Sequence, residues 1–278
     1  MTAKTEPFFI VSSGRSGTAM LHKALSAVDG VEIHHEYMVN LVQPLGVRRY
    51  LGLADASEGL KLLTQTHFAA AFHSDAALWG DSSNKLSWLI PELAELLPRA
   101  KFVHLVRDGR KVVSSYFHKL GDECYDDRSC AALQAHYDDP ARCPAPPPEK
   151  KYWWPVPRHT SASARAFRNY SQFERMAWHW AEVNSVILDS LGALAPDRQL
   201  FLRLEDLIVS PPLVRELCEF LNLSYREKYF AIFARPHNVN RPEDHPLTAK
   251  QRIAFDAIAA PVMERLGYSE RAEYVVNY

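Results

Sequence analysis

Phe8-Phe9-Ile10-Val11-Ser12-Ser13-Gly14-Arg15-Ser16-Gly17-Thr18-Ala19-Met20-Leu21 is the stretch whose reading decides the fold. Four apolar residues predict a buried strand. It stops at a turn built from serines, glycines and one arginine. Leu21, Ala24, Leu25 and Val28 then recur at helical spacing, so a helix follows. Strand, glycine-bearing turn and helix together aim backbone N–H groups and a helix N-terminus at an oxyanion. Gly14 and Gly17 permit positive φ, while Arg15, Ser16 and Thr18 add charge-assisted hydrogen bonds. Alone, the loop is equally an ordinary strand-to-helix turn.

A second unit of the same kind lies downstream. Lys101-Phe102-Val103-His104-Leu105-Val106 predicts a strand that runs into Arg107-Asp108-Gly109-Arg110, with a helix from Lys111 to about Lys119. Arg107 stands at the strand end and Ser115 two turns into the helix. Helped by Arg110 or Arg241, they would hold a second phosphate away from the first. Two separated anion sites suit a nucleotide phosphorylated at both ends of its ribose better than a simple triphosphate. The turn does not fit GxxxxGK[ST], because two residues separate its glycines and no Lys-Ser/Thr pair follows. Arg107 also precedes Asp108, where metal–phosphate chemistry favours an acidic ligand first. Magnesium-dependent phosphoryl transfer is disfavoured on both counts.

Further elements are expected around these units. Val31–His34 and Gln199–Arg203 predict strands, Ala77–Gly80 a short apolar run, and Gly59–Phe72, Ser87–Leu97, Phe167–Leu191, Leu213–Leu221 and Ala249–Leu266 helices; residues 40–57 have no clear period. The alternation predicts an α/β fold, a three-layer α/β/α sandwich around a mostly parallel sheet. Gly121 to Arg165 breaks the pattern with an acidic cluster (Asp122, Glu123, Asp126, Asp127), a proline run and Trp153-Trp154. A stretch this long without a period predicts a lid or binding loop.

Composition narrows the classes. The 278 residues carry 32 Lys+Arg against 33 Asp+Glu, a formal charge of −1, so any anion site is local rather than a polyanion-seeking field. No run approaches a membrane span and no leader pattern opens the chain, so a cytoplasmic protein with no membrane or nucleic-acid partner is expected. Cys124, Cys130, His136 and Cys143 lack the short paired spacing of structural zinc sites, and free thiols with no metal are expected.

With these residues in view, the sequence resembles the sulfotransferases that use 3′-phosphoadenosine 5′-phosphosulfate (PAPS). Ser13–Thr18 resembles that family's 5′-phosphosulfate loop. KFVHLVRDGRKVVSSYF (101–117) resembles its 3′-phosphate motif, with Arg107 and Ser115 at the family's separation, and FLRLEDLIVSPPLVRELCEFLNL (201–223) resembles a further family segment. The resemblance implies a single P-loop NTPase-like domain over 1–278. It implies sulfuryl transfer from PAPS to a hydroxyl, or less readily an amine, of a small-molecule or carbohydrate acceptor, with PAP as product and no metal. The cofactor residues it implies are Gly14, Arg15, Ser16, Gly17, Thr18, Ala19, Arg107, Ser115 and, as a substitute for a missing late basic motif, Arg241. Arg15 replaces the lysine common in this loop and implies charge stabilisation of the leaving oxygen rather than proton donation. Glu36 in His34-His35-Glu36-Tyr37 is the expected base, with His35 and Asp81 as runners-up; the stretch Gly80–Lys85 has no histidine to serve instead. Leu204 stands where the family often has an aromatic residue. Acceptor recognition is expected in 121–165 and 43–57, and a homodimer is left open. A nucleotide kinase with a degenerate loop and a non-catalytic nucleotide-binding protein remain the alternatives.

Overall fold

The computed structural model describes residues 5–233 and 245–273. Five strands, β1 (Glu6–Val11), β2 (Val31–His35), β3 (Leu78–Ser82), β4 (Lys101–Val106) and β5 (Gln199–Arg203), form one sheet in the order β2-β3-β1-β4-β5. Every pairing is parallel, so the sheet is wholly rather than mostly so, and all strand C-terminal ends lie along one edge. β1 sits in the middle, where strand order reverses and ligand crevices open in such sheets.

Alternate residues of the central strands feed opposite faces, as the pleat requires. Phe9, Val11, Phe102 and Val106 enter the larger core; Phe8, Ile10, Val103 and Leu105 enter the smaller. The helices are α1 (Thr18–Leu25), α2 (Val39–Leu51), α3 (Ala56–Leu63), α4 (Ala69–His73), α5 (Ile90–Leu96), α6 (Gly109–Lys119), α7 (Asp127–Asp138), α8 (Ala164–Phe167), α9 (Gln172–Gly192), α10 (Leu204–Leu207), α11 (Pro211–Phe220), α12 (Glu227–Phe233) and α13 (Ala249–Arg265). Residues of α1 and α11 build the smaller core, and those of α2, α5, α6, α9 and α13 the larger, which makes three layers. No described helix is long and apolar enough to cross a membrane.

Several elements depart from the sequence reading. Residues 40–57 hold α2, despite Pro44 within it and an N-cap, Met38, that supplies no side-chain cap. Gly59–Phe72 is two helices joined by a π-type turn, Thr64–Phe68. The long helix is interrupted between Phe167 and Gln172, where Ser171 and Glu174 form a capping box that starts α9 afresh. The aperiodic stretch contains α7, whose N-terminus is capped by Asp126. Trp153 and Trp154 are 3% and 7% exposed, their indole N–H groups donating to Pro147 O and Glu123 O. They join the larger core, Trp154 packing against Tyr116 and His179.

Candidate active site

The turn after β1 is held open by its backbone. Gly14, Arg15 and Gly17 have φ of 84°, 54° and 95°. A side chain at Gly14 would meet Tyr116 Oη at 1.9 Å, and one at Gly17 would meet Leu204 Cδ1 at 2.8 Å, so both positions need glycine for space as well as for φ. Leu204 therefore buttresses the loop. Tyr116 Oη donates to Ser13 O (2.9 Å), Ser16 Oγ to Gly14 O (3.0 Å), and Ser12 Oγ accepts the Gly14 N–H (3.0 Å). α1 begins at Gly17 with no side-chain cap and no acid in its first turn, so its amide dipoles face outward unscreened. Ser13 Oγ is buried without a partner. This cradle fits an anion.

Arg107 and Ser115 come to the same edge. Arg15 Nε donates to Ser115 Oγ (3.1 Å) and Arg107 donates to Arg15 O (3.2 Å), so the two strand-turn-helix units meet through these three residues. The turn carrying Arg107 is fixed from below. Asp108 N–H donates to buried Glu205 (2.8 Å), whose other oxygen accepts from Tyr268 Oη (2.8 Å), and burial raises the Glu205 pKa. The Arg203-Leu204-Glu205-Asp206 segment thus braces both units, Leu204 under one loop and Glu205 under the other. Arg110 is engaged by the Asp108 carboxylate (2.6 Å), which ties it to the turn instead of a ligand.

Glu36 lies past β2 on a left-handed backbone (φ 56°), as does Met38 (φ 52°). Non-glycine residues in that region are strained and gather at functional sites. Its side chain is 23% exposed and paired with Lys150 of the insertion. Burial works to raise the Glu36 pKa, but the ammonium groups of Lys85 and Lys150 outweigh it and hold the carboxyl below its usual range. Lys85 was not singled out by the sequence. It is 6% exposed, with its ammonium 4.0 Å from the centre of the Trp154 ring, and burial pushes its pKa down to about 8 against the pull of Glu36. Its place in Gly80–Lys85, the stretch lacking a histidine, was the available signal. Behind it, burial pushes His179 to about 3 and the Cys124 thiol up to about 12, so both are neutral neighbours.

The remaining sequence candidates sit elsewhere. Asp81 is wholly buried and spends its oxygens on Tyr37 N–H and His67, which removes it as a base for an incoming acceptor. His35 is exposed on the outer side, stacked on His22 of α1, with Nδ1 at 2.7 Å from Ser82 O. The acidic cluster is structural where it is engaged: Asp126 caps α7 and Asp127 pairs with Arg175. Arg241 lies outside the described residues. Among the described residues no group of His, Cys, Asp or Glu is arranged to hold a metal.

Residues 7–142 match the model of the family described as the sulfotransferase family. No curated protein matches the chain. Solved structures do. A sulfotransferase from Alicyclobacillus acidocaldarius aligns with a TM-score of 0.52 at 17% identity, over 94% of this chain and 94% of that one. The sulfotransferase domain from the curacin biosynthetic pathway gives 0.50 at 15%, over 96% and 99%. A sulfotransferase from Mycobacterium avium gives 0.53 at 11%, over 99% and 79%. At these identities the structural likeness is one of fold.

Proposed function

We propose that this chain, whose residues 7–142 match the sulfotransferase family, transfers the sulfuryl group of PAPS to the hydroxyl of a small-molecule or carbohydrate acceptor. The observation that carries the reading is the junction of the Arg15 and Arg107–Ser115 units at the centre of one sheet edge, two anion-accepting centres joined by hydrogen bonds. When bound, PAPS supplies the sulfuryl group and a 5′-phosphate that leaves. The residues present fit it. The Gly14–Ala19 backbone and the α1 N-terminus would hold its 5′ end, and Arg107 and Ser115 its 3′-phosphate.

The reaction needs a proton taken from the acceptor and positive charge near the leaving oxygen. Glu36, kept ionised by its lysines, takes the proton. Arg15 holds charge at the loop, and Lys85 places a second, desolvated charge beside Glu36. The insertion over 121–165 acts as a lid within a single domain, with Lys150 latched to Glu36 until an acceptor takes its place.

Arg107→Ala tests the two-phosphate reading. PAP affinity is expected to fall roughly 10- to 100-fold, the worth of a charge-assisted contact, while affinity for AMP, which lacks the 3′-phosphate, is unchanged. Equal losses for both nucleotides, by calorimetry, would contradict it.

A further inference from the structure

Asp81 at the end of β3 and His67 in the π-type turn are both wholly buried. Their hydrogen bonds can be accounted for atom by atom. Thr66 Oγ donates to Leu62 O (2.8 Å) and lies 3.0 Å from His67 Nδ1. His67 Nε2 and Asp81 Oδ2 are hydrogen-bonded at 3.2 Å. The other carboxylate oxygen, Asp81 Oδ1, accepts the backbone N–H of Tyr37 at 3.1 Å. Tyr37 directly follows Glu36, whose own N–H donates to Ser82 O (3.2 Å), next in line after Asp81. Phe9, Tyr37 and Trp79 close around the His67 ring at centroid distances of 6.1, 5.4 and 5.8 Å.

This arrangement is an expensive way to fill a core. Apolar residues of the same volume are often as stable as a buried polar pair, and a π-type turn inside a helix is rare and recurs at functional sites. The extra residue of that turn is what aims His67 at Asp81. At the other end of the chain of bonds stand Glu36 and Met38, two left-handed residues either side of Tyr37 that need their surroundings to hold them.

We propose that the Asp81–His67 pair is a positioning device: it pins the Tyr37 amide and so holds Glu36 in the backbone conformation from which its carboxylate pairs with Lys150. Neither residue touches the acceptor. The inference rests on the reading of Glu36 as base, and binding of PAP separates the two: His67 and Asp81 bond to Thr66 and Tyr37, and the link to the nucleotide loop is Ser82 Oγ donating to Thr18 O (2.9 Å), which both variants leave in place.

The test uses the full chain and two variants. In His67→Gln the amide N–H replaces Nε2 toward Asp81. In the double variant His67→Leu/Asp81→Leu both polar partners leave together, which spares the fold an unpaired buried charge. The double variant is expected to keep its PAP affinity. Its Glu36 carboxyl, followed by carbon-13 NMR, titrates higher, toward the ordinary glutamate range, and PAP release from PAPS with acceptor slows roughly 10- to 100-fold, the cost of a misplaced catalytic group. His67→Gln keeps both properties near those of the parent. In the parent protein the Tyr37 amide exchanges with solvent roughly 100-fold more slowly than an open loop amide, a measurement that needs no variant. A double variant with an unmoved Glu36 titration and full turnover, or a Tyr37 amide that exchanges freely in the parent, would overturn the proposal. Loss of PAP binding in the parent would instead remove the reading on which it rests.

Discussion

Glu36→Gln is expected to reduce transfer roughly 10²- to 10⁴-fold, the range for loss of a positioned general base, while PAP binds as before. The substitution keeps shape and removes the charge that pairs with Lys150 and offsets the burial of Lys85. Nucleotide affinity is spared because the loop and the Arg107–Ser115 pair are held by bonds of their own, Arg15 to Ser115, Arg107 to Arg15 O and Tyr116 to Ser13 O. The pH profile of the parent follows from the same charges. Lysine neighbours hold Glu36 below the usual carboxylate range, so the base stays ionised from neutral pH well into the acid. Activity therefore declines on the acid side only below the ordinary glutamate value. On the alkaline side it declines as Lys85 loses its proton, near pH 8. Full turnover in Glu36→Gln, measured as PAP release against a panel of phenols, alkyl alcohols and sugars, would remove Glu36 from the chemistry.

Lys85→Met is expected to separate stability from function. Transfer falls roughly 10²- to 10³-fold, the worth of one preorganised charge at a reacting centre. The fold gains stability at neutral pH. The Lys85 pKa is about 8 in the folded chain against 10.5 for a free lysine, so burying the ammonium costs about 3 kcal/mol at pH 7. Contact with the Trp154 face returns about 1–2 kcal/mol of that. The direction with pH is fixed by the lowered value. The penalty is full below pH 8, shrinks as pH rises through the interval, and is gone above 10.5. The methionine variant should accordingly outlast the parent in urea at pH 6.5 and lose that advantage at pH 10.5. A variant that is less stable at pH 6.5 and still transfers would mean Lys85 is a packing residue.

The two halves of this site were unequally visible in the chain. The loop after β1 and the Arg107 turn announce themselves locally: apolar runs end at polar, glycine-bearing turns, and Arg107 at the strand end stands eight residues before Ser115 in α6. Glu36 could be named, but its meaning lay in partners 49 and 114 positions later, Lys85 and Lys150. Lys85 was passed over because nothing beside it says that it is buried; Trp154, from the insertion, covers it. α2 escaped notice because Pro44 and Gly46 spoil its local propensity while packing on Trp88 and Lys85 sustains it. The π-type turn is invisible to any 3.6-residue period, yet it is what carries His67 inward. The two tryptophans of the aperiodic stretch are spent on the larger core and on Lys85.

The proposed transfer requires a site for an adenosine nucleotide bearing phosphate at both its 3′ and 5′ positions. Thermal denaturation of the intact chain with PAP, ATP, ADP or NAD tests it most directly. PAP at about 100 times its dissociation constant should add about 2.7 kcal/mol, raising the midpoint by several degrees, with no comparable rise from the other three. A midpoint that PAP does not move, or one that ATP and magnesium move further, would contradict the assignment of the donor.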